Sequence, residues 1–129
     1  YKRDPYHCHC AKTVRLLNEK FKKETVILQM SFQSRFGPQE WLKPYMQEKM
    51  DEFIEKKQNH LVVIAPGFSV DCLETLEEID IRGRKTFIDS GGEKMIYIPC
   101  LNESNETVEL LISIVEDAKN FEIKALKTA

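Results

Sequence analysis

Asp71, Glu74 and Glu78 stand three and four residues apart, so a helix through them would carry three carboxylates on one face. Like charges stacked this way cost a helix roughly 0.2–0.5 kcal/mol per pair. One reading is an acidic face turned to solvent. The other is a row of oxygen ligands or proton acceptors beside the carboxyl end of a strand, where open α/β sheets place their ligands.

The elements that position this row are readable around it. Leu61, Val62, Val63, Ile64 and Ala65 form an apolar run bounded by turn formers, the pattern of a buried strand. Pro66-Gly67 breaks that strand, and Ser69 can cap the helix that follows. On that helix Leu73, Leu76 and Asp80 share one side, a thin packing stripe.

Elsewhere, residues 1–10 read as a polar lead-in loop and residues 11–23 as an amphipathic helix with Val14, Leu17 and Phe21 inward. Residues 25–32 are rich in β-branched and apolar types and predict a central strand. Residues 33–43 form a loop. Pro44 suits the first turn of a helix to about residue 57, with Met46, Met50, Phe53 and Ile54 inward. Residues 86–88 predict a short strand, 89–92 a turn, and 95–98 a strand stopped by Pro99. Ser104 caps a last helix to about residue 119, with Val108, Leu111, Ile112 and Val115 inward. Residues 120–129 read as a frayed tail. Strands alternating with helices predict a doubly wound α/β fold: a mostly parallel four-stranded sheet with helices on both faces.

The chain's 129 residues suit one domain, placed at 1–119. It is 42% hydrophobic and 31% charged, the balance of a soluble globular domain. A net charge of −2 argues against nucleic acid or an anionic membrane as partner. No apolar run nears the ~20 residues of a spanning helix, and the start lacks a signal-peptide pattern. Tyr1 in place of Met marks the chain as an expected fragment or processed product. Cys8, Cys10, Cys72 and Cys100 are too few for a disulfide scaffold. His7-Cys8-His9-Cys10 offers soft metal ligands but no second pair at zinc-site spacing. No Gly-x-Gly-x-x-Gly follows a strand and there is no P-loop, which leaves nucleotide binding unsupported.

Three blocks carry a family resemblance. Pro66-Gly-Phe-Ser-Val-Asp-Cys-Leu-Glu-Thr-Leu-Glu-Glu-Ile79 resembles the signature of ferrochelatases. Gln33-Ser-Arg-Phe-Gly-Pro-Gln-Glu-Trp-Leu-Lys-Pro44 and Gly91-Gly-Glu-Lys-Met-Ile-Tyr-Ile-Pro-Cys-Leu-Asn102 resemble two further family blocks, in the same order. The resemblance covers roughly residues 4–119 and only the C-terminal part of such an enzyme, one half of a two-domain chelatase fold. It implies insertion of ferrous iron (Fe2+) into protoporphyrin IX, the step that makes protohaem.

By that resemblance Glu74 faces the metal as ligand and proton acceptor, Asp71 is a second catalytic carboxylate, and Glu78 is an outer metal-binding one. Cys72 departs from the family, many members of which carry His there, and the resemblance also implies a π turn in this helix, which would shift the carboxylate face by one register. Trp41, Phe68 and Phe36 become candidate porphyrin contacts, since flat aromatic surface matches a macrocycle. Ser34 and Arg35 sit beside the pocket, where Arg35 could pair with a propionate. Ordinary packing or surface roles stand beside each of these. The facing histidine belongs upstream of Asp4-Pro5-Tyr6, in the missing N-terminal half of the protein. Some members hold an iron–sulfur cluster with most of its cysteines near the C-terminus. Residues 120–129 contain none, so no cluster and no other tightly bound cofactor is carried over. The expected location is the cytoplasm, with peripheral contact at the inner membrane left open. The alternatives are another tetrapyrrole chelatase of the same fold, or a non-catalytic module binding a tetrapyrrole or a metal.

Overall fold

Two parallel strands anchor the computed structural model, which describes residues 4–21, 26, 28–33, 37–38 and 40–127. Strand β1 spans His60–Ile64 and β2 spans Lys94–Ile98, with His60 opposite Lys94 and Ile64 opposite Ile98. Both are rich in the β-branched residues that fit a pleated surface. One face of this sheet is packed: Met95 and Tyr97 are buried, Leu61 and Val63 half-buried. On the other face Val62, Ile64, Ile96 and Ile98 are exposed.

The expected sheet of four strands is therefore not what the described residues form. In the 25–32 stretch, Thr25 and Ile27 lie outside the described residues. Of the rest only Phe32 pairs, in an isolated parallel bridge to Tyr45. The Asn18 side chain takes up both backbone groups of Leu28, donating to its carbonyl at 3.0 Å and accepting from its N–H at 2.9 Å. Residues 86–88 are helical rather than a strand. They lie in a helix, Arg84–Asp89, where Thr86 hydroxyl donates to the Arg82 carbonyl and Lys85 pairs with Asp89 one turn on. Burying Phe87 completely outweighs the weak strand preference of three residues.

The described residues also form four α-helices: α1 Tyr6–Lys20, α2 Met46–Glu55, α3 Arg84–Asp89 and α4 Asn105–Lys127. Between β1 and α3 runs a π-helix, Glu74–Gly83, whose i→i+5 bonds make a wider turn than an α-helix. Its buried residues are Thr75, Ile79 and Gly83. The expected stripe of Leu73 and Leu76 is exposed instead, at 73% and 48%. Ile79 joins Phe87, Met95, Tyr97 and Met50 in the core, against which Met46 and Ile54 of α2 pack. Gly92 closes this core from below, because a Cβ there would lie 2.3 Å from the Phe87 ring.

The ends of three helices differ from the sequence expectation. Helix α1 begins at Tyr6, inside the expected lead-in loop. The Asp4 carboxylate accepts the Tyr6 N–H at 2.9 Å and the Pro5 carbonyl accepts the His9 N–H at 2.9 Å, so Asp4-Pro5 is the start signal. Pro44 lies outside α2: Tyr45 holds the cap position, and its N–H donates to the Glu48 carboxylate at 3.1 Å. Ser104 does cap α4, accepting the Thr107 N–H at 3.2 Å. That helix continues past residue 119 to Lys127, and its expected inward residues are exposed: Val108 at 48%, Leu111 at 57%, Ile112 and Val115 at 53%. Among the described residues no helix is long and apolar enough to cross a membrane.

Candidate active site

β1 ends at Ile64, and a tight turn follows in which the Phe68 N–H donates to the Ala65 carbonyl at 3.0 Å. The chain then runs non-helically through Ser69 to Cys72, so Ser69 is not a helix cap. Its carbonyl instead accepts the Asn102 N–H at 2.9 Å, tying this loop to the one after β2. The helix starts with the Cys72 carbonyl accepting the N–H groups of Thr75 and Leu76, and with the Cys72 N–H donating to the Thr75 hydroxyl at 2.9 Å.

Asp71 thus lies before the helix, and the three-carboxylate helical face does not form. Four donors converge on its two oxygens. Oδ1 accepts the Tyr97 hydroxyl at 2.7 Å, the Thr75 hydroxyl at 2.9 Å and the Cys100 N–H at 3.3 Å; Oδ2 accepts the Asn102 Nδ2 at 2.9 Å. Its own N–H donates to the Asn102 Oδ1 at 2.8 Å. Asn102 first, then Tyr97, hold this carboxyl well below the usual range, so it stays ionised. The same contact, with burial as the larger cause and Cys100 beside it, pushes the Tyr97 phenol up.

Glu74, the first π-helical residue, is in a different situation. Its side chain is exposed. The Cys72 thiol, then the residue's own backbone N–H, lower its carboxyl below the ordinary value, so it too is ionised at neutral pH. Its carbonyl accepts the Gln33 Nε2 at 2.9 Å, which fastens the segment after Phe32 to the helix start. Gln33 Oε1 is buried without a partner among the described residues.

Glu78 sits one wide turn on, half-buried, 3.4 Å from the Arg82 guanidinium. Arg82 also reaches Glu77 at 3.3 Å, five residues away. A cleft of about 420 Å³ opens here, with Glu78 and Arg82 on one wall and Phe32, Gln33 and Tyr45 on the other. The structure therefore joins Glu74 and Glu78 on one helix with Gln33 beside them.

Trp41 and Phe68 are exposed at 42% and 37% and make no ring contact among the described residues. Ser34, Arg35 and Phe36 lie outside the described residues. Sequence reading missed Tyr97, Asn102, Thr75 and Gln33. One signal was available, the inward strand register that Tyr97 shares with Met95; the left-handed turn at Asn102, φ +51°, shows only in the structure.

The arrangement can present an ionised, solvent-accessible carboxylate, Glu74, at the carboxyl end of a parallel strand. It can bind a cation or take up a proton there. A protein-family model described as ferrochelatase matches residues 1–119. Curated ferrochelatases of Francisella tularensis are similar: 51% identical over 118 residues in strain WY96-3418 of subspecies tularensis and in strain U112 of subspecies novicida. The protein of subspecies holarctica strain LVS is 50% identical over 118 residues. Each match covers 90% of this chain and 35% of the relative, so the chain spans about a third of the length of these proteins.

Proposed function

The chain belongs to the ferrochelatase family, and from that premise we propose that the whole protein inserts ferrous iron into protoporphyrin IX to make protohaem. This chain supplies the carboxylate wall of the cleft, and the rest of the protein supplies the facing wall with its histidine. Ferrous iron enters as substrate, and no resident cofactor is assigned. The reading includes a cytoplasmic location with peripheral contact at the inner membrane.

Insertion needs the macrocycle gripped, the metal delivered by ligands that release it, and two pyrrole protons removed. Carboxylates suit the last two tasks, being oxygen donors and proton acceptors. The observation that carries the reading is the contrast at the helix start: Glu74 is ionised and exposed, three residues from a carboxylate already held by four protein donors. Glu74 is the metal ligand and proton acceptor. Glu78 is the outer carboxylate, and its ion pair with Arg82 competes with a cation bound there. Trp41 and Phe68 offer exposed aromatic surface to the porphyrin, with Ser34, Arg35 and Phe36 assigned beside it.

The test is metal insertion by the full-length protein, read from the porphyrin absorption bands, in wild type and Glu74→Gln. The amide is isosteric but takes up no proton at neutral pH. The rate should fall by ~10²–10⁴-fold with the melting temperature unchanged. A variant keeping more than about a tenth of the rate contradicts the role of Glu74. A wild type that binds porphyrin without inserting metal contradicts the enzymatic reading itself.

A further inference from the structure

The hydrogen bonds around Asp71 form one closed set across three segments. Asp71 belongs to the loop after β1, Thr75 to the first turn of the π-helix, and Tyr97, Cys100 and Asn102 to the end of β2 and the turn beyond it. Asn102 contributes three times: Oδ1 accepts the Asp71 N–H at 2.8 Å, Nδ2 donates to Asp71 Oδ2 at 2.9 Å, and its N–H reaches the Ser69 carbonyl at 2.9 Å. Nδ2 also lies 3.1 Å from the Cys100 carbonyl, so both of its hydrogens have acceptors. Tyr97 is 8% exposed and Thr75 fully buried, so water competes little for these bonds.

A carboxylate offers about four lone-pair sites. Three protein donors share Oδ1 and one meets Oδ2, so Oδ1 is saturated and only Oδ2 keeps acceptor capacity, which makes Asp71 a poorer site for a metal or a pyrrole proton than Glu74. Those donors instead fix where the π-helix begins relative to the strand ends. Glu74 follows three residues later, so the position of its carboxylate is set from this cluster on one side and from Gln33 on the other.

Resting on the function proposed above, we propose that Tyr97 and Asn102 are positioning residues that act through Asp71. Together they clamp the start of the π-helix and so aim Glu74, and Asp71 does not itself exchange protons with the substrate. A misplacement of about 1 Å at such a site can cost as much as ~10²-fold in rate.

The experiment uses the full-length protein and four variants: Tyr97→Phe, Asn102→Ala, Glu74→Gln, and the double variant Tyr97→Phe with Glu74→Gln. Tyr97→Phe and Asn102→Ala should lower kcat for zinc insertion about 10-fold or more while leaving KM for porphyrin within about twofold, because the clamp aims a reacting group and does not touch the macrocycle. Added to Glu74→Gln, Tyr97→Phe should produce no further loss, since both act on the same group. Amide exchange should quicken at Thr75 and Leu76 in Tyr97→Phe and stay unchanged along Lys94–Ile98. An unchanged kcat in both single variants overturns the clamp. So does a loss that multiplies fully onto Glu74→Gln, or exchange at Thr75 and Leu76 identical to wild type. A fully active Glu74→Gln is a separate result: it overturns the role of Glu74, and the exchange measurement still decides whether the clamp exists.

Discussion

The two sides of the π-helix differ in what they meet. The inner side, Thr75, Ile79 and Gly83, is buried against Phe87, Met95 and the methionines of α2. The outer side carries Glu74 and Glu78 with Arg82, beside an open cleft. Both sides belong to the same ten residues, Glu74–Gly83. On the proposed function, stability and chemistry separate by direction around one helix, not by position along the chain. A π turn is rare and appears frequently at functional sites. Here it lets Glu77 meet Arg82 five residues on while the inner stripe stays packed.

The largest expected effect lies on the inner side. Ile79→Ala removes a residue only 3% exposed and leaves a cavity between Phe87 and Met50, which should cost ~2–5 kcal/mol in chemical denaturation. A loss below about 1 kcal/mol would mean the inner side is not the packed one.

Acid should loosen the same region next. The Asp71 carboxyl is lowered by its bonds to Asn102 and Tyr97, so its contribution is present above the ordinary carboxylate range of about 4 and is lost as pH falls through its lower folded value. Glu52, lowered to about 2 by Lys49 and Lys56, gives way over the window from about 4 to about 2. Melting temperature should drop as pH falls below about 4, and Asp71→Asn should flatten the lowest part of that curve. An acid limb identical in Asp71→Asn and wild type would sever the clamp from stability.

The smallest effect belongs to the outer side. Leu76→Ser, at a position 48% exposed, should change stability by no more than about 0.5 kcal/mol. A larger cost in the full-length protein would show that another segment covers this position there.

What was legible in the sequence follows from how local each signal is. β1 and β2 were readable because an apolar run between turn formers needs no distant partner to be recognised. So were the inward Met46, Met50 and Ile54, and the Ser104 cap. The π-helix was not readable from composition, which does not report whether bonds run i→i+4 or i→i+5; only the family resemblance implied a π turn, and the structure has one over Glu74–Gly83. The packed stripe is Thr75 and Ile79 and not Leu73 and Leu76, because the face that meets Phe87 and Met50 is chosen by tertiary packing. Asp71 was grouped with Glu74 by spacing, whereas its partners Tyr97 and Asn102 lie 26 and 31 residues away. Phe87 read as part of a strand because three residues cannot show a period, and its burial is decided by Gly92 and Ile79. The apolar stripe of α4 was readable as a pattern but not as packing, because nothing among the described residues covers it.

The most direct test of the division sets one variant from each side against the other in the full-length protein. Glu74→Gln and Ile79→Val are measured for melting temperature and for metal insertion at a temperature where both are folded. Two sides with separate roles predict opposite outcomes: Glu74→Gln keeps its melting temperature and loses ~10²–10⁴-fold in rate, while Ile79→Val loses about 0.5–1.5 kcal/mol of stability and keeps its rate. Parallel losses of rate and stability in both variants would contradict it.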